Sequence, residues 1–300
     1  MMRDFASCFG DHAIKVADAS CSGRAVGGVT APSAAAGSIS PSQDLSVQSV
    51  ITSIFRAKLC SGKPLLIVLT WSRSHVGPVL SVGVDDDRDF AHPWNLSPMN
   101  SQLLRKKKGT HSFVAGSSAV VVHWDFSAAR HGMGPEPIDN FFVAIIVETE
   151  LALLLGDQIG EFMRKLEDKL PVAGFSMVCR REHVVGRSLY SSTRARFDDG
   201  GKDHEITISC KGAGELFVCV DKKRVVHVAR LSWNFRGNQT IFVNGSPVDL
   251  MWDMHEWCFG GPAGSAVFLF RRRSSLESRL WLEEEKKIGF SLLIQAFRRP

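Results

Sequence analysis

Two short stretches hold the side chains with the greatest chemical reach. The hexapeptide Trp252-Asp253-Met254-His255-Glu256-Trp257 sets a carboxylate and an imidazole two residues apart. His123-Trp124-Asp125 repeats the pair in reverse order. Residues i and i+2 of a strand share one face, about 6.5–7 Å apart. Asp253 with His255, and His123 with Asp125, therefore each present a nitrogen and an oxygen donor side by side. Two such pairs brought together would make a metal site or an acid–base couple. Alone, each supplies two ligands. The same residues also fit solvent-side positions of half-buried strands, or Asp accepting loop N–H groups. The period of two sends Trp252, Met254 and Glu256 one way and Asp253, His255 and Trp257 the other. Trp252 and Met254 then continue the core row of Val248 and Leu250.

Arg236, in "LSWNFRGN", can stack on an aromatic or bind an anion, or hold its turn by bonding loop carbonyls. The candidate ligand-binding set is thus His123, Asp125, Arg236, Trp252, Asp253 and His255. No catalytic residue, metal or cofactor is assigned.

Other chemistries fail on spacing. There is no G-x-S-x-G nucleophile turn, and seven scattered cysteines form no C-x-x-C pair. "GGPAGSA" lacks the Lys-Ser/Thr of a phosphate loop and precedes a strand. In "KGTHSFV", Thr110 and Ser112 stand where RNA-stacking aromatics are needed. Sequence-specific nucleic-acid binding is not supported. Net charge is mild, +5, which permits an acidic partner without requiring one. The basic residues cluster in Arg105-Lys106-Lys107-Lys108, in Lys222-Lys223-Arg224 and in Arg271-Arg272-Arg273. Such loops can meet anions or localisation receptors, or discourage edge pairing. "RRRSS" has the form of a basic-directed phosphosite at Ser275. A protein partner or an anionic ligand is the expected class of occupant.

The elements that must position these residues are strands. From Leu45 onward the apolar period is two, as in "SVQSVITSIFRAKL", "SSAVVVHWDF", "NFFVAIIVETELALLL" and "PVDLMWDM". "KGAG", "DKK" and Asn244-Gly245 read as hairpin turns. In "GDQIGEFMRKLEDKLP" the apolar residues fall at helical spacing, capped by Asp157 and stopped by Pro171. That helix is expected to plug a sheet edge or barrel mouth. The fold class is all-β: an antiparallel two-sheet sandwich or flattened barrel of about a dozen strands, with one short helix near 157–169. Residues 1–44 read as a largely disordered tail, rich in Ala, Ser and Gly, and 45–300 as a single β-rich domain. Two similar β halves breaking near 156–172 are the alternative, because a Trp-Asp pair recurs in each. The longest apolar run is broken by Glu148 and Glu150, so no transmembrane helix is expected. Cytoplasm or nucleus is expected over chloroplast, because acids interrupt the tail.

Several stretches resemble one family. "RDFASCFGDHAIKVAD", "LTWSRSHVGPVLSVGVDD", "WDFSAARHGMGPEPIDNFFVAIIVETELALLLGD", "CRREHVVG" and "LSWNFRGNQTIFVNGSPVDLMWDMHEW" are similar to the plant family known only as domain of unknown function eight-six-eight. The resemblance runs over nearly the whole chain, in the same order. It implies a soluble, mostly β plant protein with no established activity, and it transfers no functional residue. The leading expectation is a non-catalytic binding or interaction module of a plant cell. The alternative is an enzyme or small-ligand carrier with a Trp/His/Asp-lined pocket at a sheet end.

Overall fold

The computed structural model describes residues 46–75, 77–86, 101–166, 170–198, 200–211, 214–273 and 289–299. The expected tail, 1–44, and the phosphosite at Ser275 lie outside the described residues. Strands dominate from Val47 onward. β1 (Val47–Lys58), β2 (Pro64–Ser74), β3 (Gly77–Asp85) and β4 (Ser101–Leu104) pair antiparallel in chain order. Then come β5 (Lys108–Ala115), β6 (Ser118–Asp125), the two-stranded ladder of β7 (Arg130–His131) and β8 (Pro137–Asp139), β9 (Phe142–Val147) and β10 (Glu150–Gly156). Four of these form a sheet in the order β10-β9-β6-β5.

The helix α1 (Ile159–Leu166) lies within the expected stretch. It packs on a sheet face, not on an edge or a barrel mouth. Phe162 sits against Phe142 and His123, with ring centroids 5.1 and 5.4 Å away. Alternation in β9 explains the placement. Phe142, Ala144 and Ile146 point toward α1, while Val143, Ile145 and Val147 enter the main core.

The long strand β11 (Gly174–Gly186) follows, and then a four-stranded sheet of β12 (Tyr190–Ala195), β13 (His204–Lys211), β14 (Glu215–Val220) and β15 (Lys223–Ala229). The chain continues through β16 (Arg236–Val243), β17 (Ser246–Asp253), the helical turn α2 (His255–Phe259), β18 (Ser265–Arg272) and β19 (Ser291–Arg298). These strands join the first four in one nine-stranded sheet, ordered β16-β17-β18-β19-β11-β1-β2-β3-β4. β11 is its hinge strand, antiparallel to β1 and parallel to β19. The strand count is nineteen among the described residues, against the expected dozen, and no sheet closes into a barrel. No helix among the described residues is long and apolar enough to cross a membrane.

Two large cores hold the sheets. One joins Leu65, Ile67, Leu69, Leu80 and Val82 to Val120, Val122, Trp124, Ile145 and Leu153. The other joins Ile206, Ile208, Leu216 and Val218 to Val248, Leu250, Trp252, Phe268, Phe270 and Ile294. Each fully buried Val, Leu, Ile or Phe contributes about 1.5–3 kcal/mol. These rows therefore outweigh exposed ion pairs, which are worth about 0–1 kcal/mol each.

Two of the three expected hairpin turns fall where the sequence puts them, and Gly212 and Ala213 of "KGAG" lie outside the described residues. Asp221 and Lys222 (φ 49° and 66°), and Asn244 and Gly245 (φ 51° and 83°), hold the two left-handed residues that suit right-twisted strands. "NFFVAIIVETELALLL" is not one strand but the β9–β10 hairpin, turning at Glu148 and Thr149 with positive φ at both. The period of two also stops before the end of Trp252–Trp257. β17 ends at Asp253 and α2 begins at His255, so Trp257 turns back into the same core as Trp252 and Met254.

Candidate functional site

The two Trp-Asp hairpins share one local architecture, residue for residue and without a gap. Trp124 Nε1 donates to the carbonyl of Lys106 (2.7 Å), and Trp252 Nε1 to that of Asn234 (3.1 Å). Gly109 faces the ring of Trp124, and Gly237 that of Trp252. Lys108 pairs with Asp125 (2.6 Å), and Arg236 with Asp253 (2.9 Å). Asp125 Oδ1 accepts the Ser127 N–H, and Asp253 Oδ1 the His255 N–H, each at 3.0 Å. Both carboxylates thus cap a chain reversal two residues on, and each holds one cation. Bonds from Lys108 and Ser127 keep Asp125 below the usual carboxylate range, against the opposing effect of burial.

His123 and His255 occupy different settings. His123, on β6, bonds Thr110 Oγ1 (2.9 Å) and packs on Phe162, and burial lowers its pKa. His255 begins α2, touches Phe235 and Phe259, and bonds Glu256 (3.1 Å). One pair belongs to the β10-β9-β6-β5 sheet and the other to the nine-stranded sheet. Among the described residues, no group of three His, Cys, Asp or Glu could hold a metal ion. Trp252 is buried in the core. Arg236 lies 5.5 Å from the centroid of Phe235, and Trp233 of the same stretch is exposed.

The basic residues divide by role. Arg105, Lys106 and Lys107 are exposed and pair with none of the described residues, while Lys108 is held by Asp125. Alternation at the end of β18 splits the other run. Arg272 pairs with Asp198 (2.9 Å), and Arg273 with Asp249 (2.9 Å). Arg271 faces Asp249 across the ladder. At four of the described cysteines thiol chemistry is disfavoured. A bond to Glu150 raises the pKa of Cys60, and burial raises those of Cys179 and Cys258. Burial, with Cys258 nearby, pushes Cys210 up to about 11. A protonated thiol is a poor nucleophile.

A polar knot ties β2 to the β5–β6 turn. Lys63 Nζ reaches Asp86 (3.0 Å), Glu148 (3.2 Å) and the hydroxyls of Ser117 and Ser118. Asp86 accepts the Ser117 backbone N–H (3.0 Å) and hydroxyl (2.8 Å). The N–H bond, then the hydroxyl and Lys63, lower its pKa to about 2 against the opposing effect of burial. The folded value lies below the unfolded one, near about 3.9. This stabilisation is therefore present above about pH 4 and is lost as pH falls toward 2. Thermal melts of the wild type and Asp86→Asn across that range are expected to converge as pH falls. A gap that stays constant would contradict the assignment.

A large concave feature involves none of the hexapeptide. It is a cleft of about 1780 Å³ over β1 and β11. Ile51 and Phe55 of β1 and Met177 and Arg180 of β11 line it, with Met133 and Ile138 on the β7–β8 side and Ser192–Ala195 of β12 on the other. Arg73 holds the Met133 loop by bonding the carbonyls of Gly132 (3.2 Å) and Gly134 (3.1 Å). Three of the exposed large apolar residues gather at this cleft: Ile138 at 67%, Met133 at 57% and Phe175 at 40%.

Against the cleft lies a buried charge network. Glu182, wholly buried on β11, accepts from Arg180 Nε (2.6 Å), Gln48 Nε2 (2.7 Å) and the Thr193 hydroxyl. Arg180 also reaches Glu136 (2.6 Å). Burial opposes the charge on Arg180, but Glu136 and Glu182 together hold it protonated beyond the ordinary arginine range. One carboxylate thereby joins β1, β11 and β12. Composition and motif spacing missed this site. Its one signal was Arg-Arg-Glu inside the otherwise apolar period of "CRREHVVG", since charge at a core position of a strand needs a partner.

A family model described as "Plant protein of unknown function (DUF868)" matches residues 46–298, and the chain belongs to that family. No curated protein and no solved structure matches it.

Proposed function

We propose that this member of a plant family of unknown function is a non-catalytic binding module whose binding surface is the cleft over β1 and β11. The observation that carries the proposal is the gathering of exposed Met133, Ile138 and Phe175 around a concavity that also holds arginines. Exposed apolar side chains concentrated in one place mark an interaction surface. The rival, a small-ligand carrier, is less well supported. Typical small-molecule pockets measure about 300–1,000 Å³, and this cleft is larger. In the same proposal the architecture is a layered sandwich. Each four-stranded sheet covers one end of the nine-stranded sheet, in two similar β halves that meet near 156–172. The recurrence of the Trp-Asp hairpin supports the halves. We propose a cytoplasmic or nuclear setting, which suits free thiols at Cys60, Cys179, Cys210, Cys219 and Cys258.

The test is comparative capture from plant extract with the wild type and with Ile138→Asp/Phe175→Asp. Both side chains are exposed, so the variant is expected to fold. It is expected to lose the partners that the wild type retains. Identical capture by the two proteins would remove the proposal.

A further inference from the structure

We infer that the cleft binds an extended acidic peptide, which adds as a strand to the outer edge of β12. This inference rests on the binding-module reading. β12 ends its sheet, with β13 as its one neighbour among the described residues. Ser192 through Asp198 line the cleft without interruption, so the open side of the strand borders the concavity. An edge strand leaves alternate N–H and C=O groups unpaired, and an added strand satisfies them at about 4.8 Å.

The faces of β12 set the chemistry of the guest. Ser192, Arg194 and Arg196 are exposed, while Thr193 and Ala195 are buried. A strand laid beside β12 inherits the same two faces. Its inner side chains meet Phe55 and Met177 in the cleft and are therefore apolar. Its outer side chains stand beside Arg194 and Arg196. Arg196 is engaged by Asp203 (3.0 Å). Arg194 pairs with no described residue, since Glu205 across the ladder takes the Ser192 hydroxyl instead (3.2 Å). Among the residues lining the cleft, arginines outnumber carboxylates. The favoured guest alternates acidic and apolar residues.

A fluorescein-labelled synthetic peptide alternating glutamate and valine is the probe, followed by anisotropy. It is expected to bind, and the lysine–valine counterpart to bind at least about tenfold more weakly. Arg194→Glu, at an exposed position, is expected to weaken the acidic peptide at least about tenfold while leaving the circular dichroism spectrum unchanged. Strand addition makes a further demand. Of two peptides N-methylated at alternate residues, in opposite registers, one must bind and the other must not. Equal binding of the acidic and basic peptides, or of both methylated peptides, would overturn the inference. So would binding of phosphatidylserine vesicles without peptide binding. If Ile138→Asp/Phe175→Asp strips captured partners but no peptide binds, the inference falls and the module reading stands. If capture ignores the cleft, the module reading falls and takes the inference with it.

Discussion

Replacing Glu182 with leucine is expected to destabilise the protein by about 3–5 kcal/mol, the usual cost of removing one partner from a buried ion pair. The loss has three parts. Arg180 keeps only Glu136 as a counter-charge, and the amide of Gln48 and the hydroxyl of Thr193 lose their acceptor. An unsatisfied buried donor costs about 1–3 kcal/mol. Urea unfolding measures the effect as a lowered midpoint with unchanged slope. The double variant Arg180→Met/Glu182→Leu is expected to recover part of the loss, because it removes the stranded charge as well as its partner. If the double variant is no more stable than Glu182→Leu, the cost lies in the orphaned Gln48 and Thr193 donors or in packing, and not in the stranded charge. A second readout tests position. Glu182 ties β12 to β11 through Thr193, so amide exchange in β12 is expected to quicken more than in β14, which no part of the network touches.

How much of this was legible from the sequence follows the range of the interaction involved. The Asn244-Gly245 turn was legible because its cause is local: two residues that tolerate positive φ stand between alternating strands. Glu148-Thr149 also joins two strands in a two-residue turn, but with residues that do not advertise it, so β9 and β10 read as one strand. The trio Asp253, Met254 and His255 was read as a continuing strand. Burial of Trp257, under the guanidinium of Arg298 at 4.7 Å, instead turned the chain into α2. That contact comes from the far end of the chain, beyond any window of local pattern. The same limit hid the parallel pairing of β11 with β19, whose strands are separated by most of the second half. It hid the cleft too, whose lining runs from Gln48 to Phe290 and so joins segments far apart in the chain. His123, Asp125, Asp253 and His255 were visible as chemistry. Of the alternatives the sequence leaves open for the two carboxylates, the structure takes the acceptance of loop N–H groups, since each caps its own chain reversal.

The second large effect is expected where the two Trp-Asp hairpins differ in tightness. Gly237→Ala should cost about 2–3 kcal/mol, and Gly109→Ala about 1 kcal/mol or less, within the range for forced overpacking. An added Cβ at Gly237 would stand 2.2 Å from Cζ2 of Trp252, while one at Gly109 would stand 3.0 Å from Cζ2 of Trp124. The first distance requires something to move; the second requires a shift of a few tenths of an ångström. Trp252 has little room to yield. Its Nε1 is bound to the Asn234 carbonyl, and its ring is packed in the core with Leu250 and Phe268. The backbone at Gly237 is equally constrained, between the Arg236–Asp253 pair on one side and the β16–β17 ladder on the other. Relief would have to come from withdrawing the tryptophan, which breaks its N–H bond and opens space in the core. Gly237→Ala/Trp252→Phe is therefore expected to be more stable than the sum of the two single losses, because the smaller ring vacates the space the methyl needs. Thermal unfolding of the four proteins measures that coupling. Strict additivity would mean that the glycine is needed for its backbone freedom and not for the ring above it.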